Sequence, residues 1–209
     1  MPLDLATLLA SASTALLIHE CQRGVVGDLS GLPALAESAR SGMLPAIGRL
    51  VVAARAAGVT VVHCTALRRP DARGGNTNAR LFQAMLRTAH PMLPGSEAAE
   101  IVPEVPVSEG DFVLSRLHGL SSFHGTELDS ILRNLGVRTT VGVGVSVNVA
   151  IQNFAFDAVN RAYQAVIPRD AVAGFPASYA DAVFEHTLDA VATLVESSAI
   201  LEVWRAGRG

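Results

Sequence analysis

Cysteine is scarce in this chain. The two that occur, Cys21 and Cys64, lie far apart with no C-x-x-C spacing, so they are expected to be reduced thiols. A surplus of positive charge is missing as well. The formal charge of -3 and the pI near 6.0 offer no field for nucleic acid or an anionic membrane surface, and no run of like charge marks a tail. The longest apolar stretches are strand-length or broken by Arg, Asp, Asn or Gly, so no segment is expected to span a membrane. The N-terminus lacks the basic start and apolar run of a secretory leader, which makes the expected location cytoplasmic. Internal repeats and linkers are absent too. Small neutral or anionic metabolites remain as the expected partners.

What is present is apolar bulk and a regular alternation. With 209 residues, half of them apolar, the chain suits a single domain over 1–209 with a large core. Short β-branched runs at 14–20, 59–66, 112–116, 139–145, 164–172 and 199–204 read as strands. Segments of helical period fall between them at 44–57, 79–89, 126–136, 148–162 and 178–195, and the Pro-rich 90–111 reads as a long surface crossover. Gly58 and Gly136 are placed to close two of the helices. Strand and helix in alternation predict an α/β fold, a doubly wound, mainly parallel six-stranded sheet with helices on both faces, Rossmann-like in architecture.

In such sheets ligands bind beyond the carboxyl ends of the strands, where the strand order reverses. That rule nominates His19 and Glu20 after the first strand, Ser115 to His118 after the third and Val145 to Ala150 after the fourth. The stretch "VGVGVSVNVAIQNFAFDAV" at 141–159 reads as strand, turn and helix, a corner at which hydrolases present a nucleophile. The residue at that corner is Ala150. The glycines of "VGVGV" lack the later glycine of a dinucleotide fingerprint, so no nucleotide cofactor is expected.

The motifs "ALLIHECQRG", "RLHGLSSFHGTELDSILRNLG" and "VGVGVSVNVAIQNFAFDA" together resemble the isochorismatase-like, or cysteine hydrolase, superfamily over nearly the whole chain. The resemblance implies that family's fold and a homodimer or homotetramer. It also implies a cis peptide between Val145 and Ser146. Members typically carry Asp in the first motif, Lys before "S-x-F-x-x-T-x-L" and Cys in "G-V-x-x-x-x-C". Here Glu20 takes the Asp position, Arg116 or Leu117 the Lys position, depending on a one-residue shift, and Ala150 the Cys position. By this resemblance the chain is expected to be a member without the nucleophilic cysteine. The Asp-x-His spacing of metal-binding relatives is missing from "HCTALRRPD", so no metal site is expected.

A methyl group cannot attack a carbonyl, which closes the thioester route. Members that cleave a vinyl ether also lack the cysteine and use the first-strand carboxylic acid as a proton donor. By that resemblance Glu20 is the expected acid/base group, acting on a vinyl ether or C–N bond of a small, carboxylate-bearing metabolite. A direct ion pair with Arg116 would suit Glu20 to base-assisted attack by water instead. The N–H groups of Ser146 and Ala150 are expected at a helix N-terminus, where they can hold an oxyanion or a carboxylate. Candidate substrate contacts are Ser146, Asn148, Phe123, Arg80, His118 and His124, the two histidines serving either a structural or a catalytic purpose. The alternative to a hydrolase is a catalytically silent member that binds a ligand or serves as an assembly subunit.

Overall fold

Six parallel strands in the order β3-β2-β1-β4-β5-β7 organise the molecule, which a computed structural model describes over residues 4–207. In chain order the elements begin with α1 (Leu5–Leu8), β1 (Thr14–His19), α2 (Pro33–Ser38), α3 (Leu44–Ala57) and β2 (Thr60–Ala66). Then come α4 (Arg80–Met85), β3 (Phe112–Arg116), α5 (Leu128–Asn134), β4 (Thr139–Val145) and α6 (Gln152–Asn160). The chain finishes with β5 (Gln164–Pro168), the short β6 (Val172–Ala173), α7 (Ala177–His186), β7 (Thr193–Val195) and α8 (Ser197–Ala206). The chain steps outward from β1 through β2 to β3, then returns to the other side of β1 for β4. The order therefore reverses between β1 and β4, and a crevice opens at their carboxyl ends.

Every residue of β1 and β4 is buried, as in central strands covered on both sides. Alternation sorts their side chains into two cores. Leu16, Ile18, Val141 and Val143 join Leu50, Trp204 and others under α3 and α8. Ala15 and Leu17 join Phe154, Leu128 and Leu132 under α5 and α6. Two glycines of β4 answer to close packing. A Cβ on Gly142 would run into the Phe154 ring, and one on Gly144, where φ is 104°, would run into the backbone of His19. Among the described residues no helix is long and apolar enough to cross a membrane.

The structure corrects the expected elements at several places. The segment expected as a last strand, 199–204, lies inside α8. Its buried Ile200, Leu201 and Trp204 recur at helical spacing and pack on α3, and that face outweighs the β-branched run. The expected helix 178–195 stops at His186, and its tail supplies the sixth strand, β7. The expected strand 164–172 ends at Pro168, where the chain turns before β6 adds two residues beside β4. Helix α4 is shorter than 79–89, and the Pro-rich crossover is not wholly a surface element. It buries Ala98, Val102 and Val105 and pairs Ile101 with Gln22.

Candidate active site

Glu20 leaves β1 in the left-handed conformation, with φ at 53°. A non-glycine residue holds that geometry only when its surroundings over-determine it. Two neighbours do so. The Glu20 N–H donates to the Cys64 carbonyl at 2.9 Å. The fully buried Gln22 donates to the carbonyls of Ala66 and Ala99 at 3.0 and 3.1 Å and accepts from the Ala66 N–H at 2.8 Å, tying the turn after β1 to β2 and the crossover. The Glu20 side chain is thereby aimed across the strand ends toward β3.

Arg116 ends β3 and meets it there. Its Nη2 donates to Glu20 Oε1 at 2.5 Å, and its Nε donates to the Gly119 carbonyl at 3.2 Å. Gly119 is held in turn, since its N–H donates to Asn76 Oδ1 at 2.8 Å. Side-chain exposure is 8% for Arg116 and 18% for Glu20, so the pair is well shielded yet open on one side. Glu20 Oε2 accepts no hydrogen bond among the described residues. All 16 basic residues of the chain are arginine, so the cation here orients and neutralises but does not shuttle protons.

The third wall is the corner after β4. The Val145–Ser146 peptide is cis. The Ser146 carbonyl accepts from the N–H groups of Val149 and Ile151 at 3.1 and 3.0 Å, starting a widened helical turn, Val147–Ile151, that runs into α6. Among the described residues Ser146 makes no side-chain cap, and its N–H finds no backbone acceptor. Ala150 sits on this turn with 8% of its surface exposed.

Glu20, Arg116, Ser146, Ala150 and His118 all line one cavity of about 580 Å³, a volume suited to a small metabolite. Four other expected contacts lie outside it. Phe123 is buried, stacked on Phe154 and Tyr163 with the Arg161 guanidinium over its ring. Asn148 turns away to bond both the N–H and the carbonyl of Phe175, tying the corner to the segment after β6. His124 is exposed beyond the cavity, its N–H donating to Ser121 Oγ. Arg80 opens α4 on the outer side, in a separate groove. Sequence reasoning passed over Gln22 and Arg68, which also reach this region. Gln22 stands three residues past the end of β1 and Arg68 two past the end of β2, a signal that the strand-end rule carries.

Neither cysteine offers a thiolate. Burial pushes Cys64 up to about 12, an effect Arg116 opposes and Glu20 reinforces, and burial likewise pushes Cys21 up, so both stay protonated. His63 serves the structure instead. Its Nε2 lies 3.2 Å from Asp111, which also receives Arg55, toward the opposite end of the sheet.

A parallel α/β sheet with an acid–cation pair and a strand-to-helix corner at its switch point defines a hydrolase-type site. The Isochorismatase domain profile matches residues 14–199, and the chain belongs to that family. It is 32% identical over 183 residues to the ureidoacrylate amidohydrolase RutB of Methylorubrum extorquens, covering 79% of this chain and 72% of that protein. It is 27% identical to an N-carbamoylsarcosine amidase from Arthrobacter sp, covering 62% of this chain and about half, 49%, of the amidase. Its fold superposes on a cysteine hydrolase of Pseudomonas syringae pv. phaseolicola with a TM-score of 0.80 over 99% of this chain and 96% of the other, at 20% identity.

Proposed function

We propose that the protein hydrolyses a C–N bond of a small, carboxylate-bearing metabolite by direct attack of water, with Glu20 as general base and without a covalent intermediate. The observation that carries this reading is the shielded Glu20–Arg116 pair facing Ala150 across one cavity. A carboxylate held by a guanidinium is suited to accept a proton rather than to donate one, which favours water attack over protonation of a vinyl ether. The relatives named for ureidoacrylate and N-carbamoylsarcosine, both small acids, support a C–N bond.

In this reaction Glu20 Oε2 takes a proton from water as the water oxygen bonds to the carbonyl carbon. The carbonyl oxygen becomes an oxyanion taken by the N–H groups of Ser146 and Ala150, since those of Val149 and Ile151 are engaged by the Ser146 carbonyl. As the C–N bond breaks, the proton held by Glu20 passes to the departing nitrogen. The methyl of Ala150 leaves room for the water where a thiol would stand.

The test is a screen of ureido, carbamoyl and simple amide acids with wild type and Glu20→Gln. Turnover in wild type, reduced about 10²–10⁴-fold in Glu20→Gln, is expected. Full turnover in the variant would overturn the mechanism. The methyl group at Ala150 favours a second reading, a member that binds such acids without cleaving them, and binding with no turnover of any compound by wild type would establish it.

A further inference from the structure

Among the described residues the cavity holds three guanidiniums, Arg68, Arg87 and Arg116, against one carboxylate, Glu20, and no other acidic residue lines it. Arg116 is engaged by Glu20, and Arg87 is exposed at the rim. Arg68 differs from both. It is half-buried and lies within ion-pair distance of no carboxylate among the described residues. Its Nη1 donates to the Met85 carbonyl at 3.3 Å, while its Nε–H is enclosed without an acceptor. An enclosed donor left unpaired is costly, more so on a charged group.

The unfilled edge has a clear use. Elsewhere in the molecule Arg23 and Arg69 take Asp28 and Asp71 through Nε and Nη2 together, each bond 2.8 or 2.9 Å long. Arg68 presents the same fork with no carboxylate in it. Its main chain is tightly placed, because the Leu67 N–H donates to the Arg116 carbonyl and the Arg68 N–H to that of Met92. Arg68 therefore stands two residues past Ala66, the residue of β2 that pairs with Arg116. The helix whose carbonyl it reaches, α4, buries none of its own side chains, so admitting a ligand beside the guanidinium displaces no core.

We propose that Arg68 is the anion anchor of the cavity. It takes the carboxylate of an organic acid in bidentate fashion, and the apolar body of that acid lies on Leu35, Phe82, Met85, Met92 and Leu120. The inference deepens the function proposed above and rests on it for the identity of the site, though not for turnover. The ligand class is an acid with a sizeable hydrocarbon part, since most of the wall is apolar and its surplus charge is positive.

Calorimetric binding of phenylacetate, acetate and the neutral 2-phenylethanol to the full chain tests the proposal. Wild type is expected to bind phenylacetate more tightly than either of the others. Arg68→Gln is expected to weaken phenylacetate roughly tenfold to a hundredfold and to leave 2-phenylethanol unchanged. Arg68→Lys keeps the charge but not the fork, and is expected to fall between. Equal affinity of wild type for phenylacetate and 2-phenylethanol would overturn the proposal. So would a lack of phenylacetate binding, or unchanged binding in Arg68→Gln. If Arg68→Gln does not fold, unchanged phenylacetate affinity in Arg68→Lys overturns the bidentate anchor. Glu20→Gln separates the two readings: an acid preference that survives in it supports the anchor whatever happens to turnover, and turnover unaffected by it sinks the mechanism alone.

Discussion

At Ala150 a mostly buried methyl group stands on the strand-to-helix corner after β4. Ser146 starts that turn, and Glu20 and Arg116 line the same cavity. By resemblance, the thiol of a cysteine hydrolase stands beside an aspartate and a lysine, and here the pair is Glu20, one methylene longer, and Arg116, a guanidinium that does not shuttle protons. Restoring the sulfur alone therefore does not restore its activation. Ala150→Cys is expected to fold as the wild type does and to react with iodoacetamide no faster than an ordinary thiol. It is also expected to give no rapid cleavage of amides. Rapid cleavage by this single change would mean that the pair activates a thiol after all.

Among the elements, α8 shows how a local pattern is overruled. "AILEVW" carries strand-forming residues, but Ile200, Leu201 and Trp204 share one helical face, and the sheet has already been completed by β7. Trp204 is the largest fully buried side chain, and its Nε1 donates to the Leu9 carbonyl at 3.2 Å. It joins the end of the chain to the segment that precedes β1. Trp204→Ala is expected to lower unfolding free energy by about 3–5 kcal/mol, through lost contact and an unfilled cavity. Urea unfolding followed by circular dichroism measures this, since the substitution also removes the only tryptophan. A loss below about 1 kcal/mol would contradict the packing of α8 on α3.

For the molecule as a whole, a buried imidazole beside the site links stability to pH. Burial, reinforced by the charge of Arg116, pushes His19 down to about 3, and its Nε2 has no partner among the described residues. The unfolded chain then binds a proton between the ordinary histidine value and about 3 that the folded chain refuses, so stability is lost as pH falls through that window. From about pH 7 to about pH 5 the loss from this group is about 2 kcal/mol. His63, lowered by burial against the opposing pull of Asp111, acts in the same direction. Urea midpoints at the two pH values are expected to fall for wild type and to fall less for His19→Gln. Equal losses would show that His19 does not carry the effect.

The inner strands β1, β2 and β4 and the helix Leu44–Ala57 were legible because their signals are local: unbroken β-branched runs for strands covered on both faces, and helical spacing closed by Gly58. Glu20, Arg116 and Ala150 were legible for a topological reason, since residues just past strand ends meet at the switch point once the strands are parallel. The sequence by itself determined the layered α/β architecture, the family's motifs and the alanine at position 150. Only the tertiary structure decided which of Arg116 and Leu117 faces Glu20, that Phe123 and Asn148 serve packing rather than the cavity, and that 199–204 is helical. Those outcomes depend on contacts between segments distant in the chain, such as β1 with β3 across β2 and α8 with α3. Local propensity carries no information about such contacts, and burial of the shared apolar surface settles them.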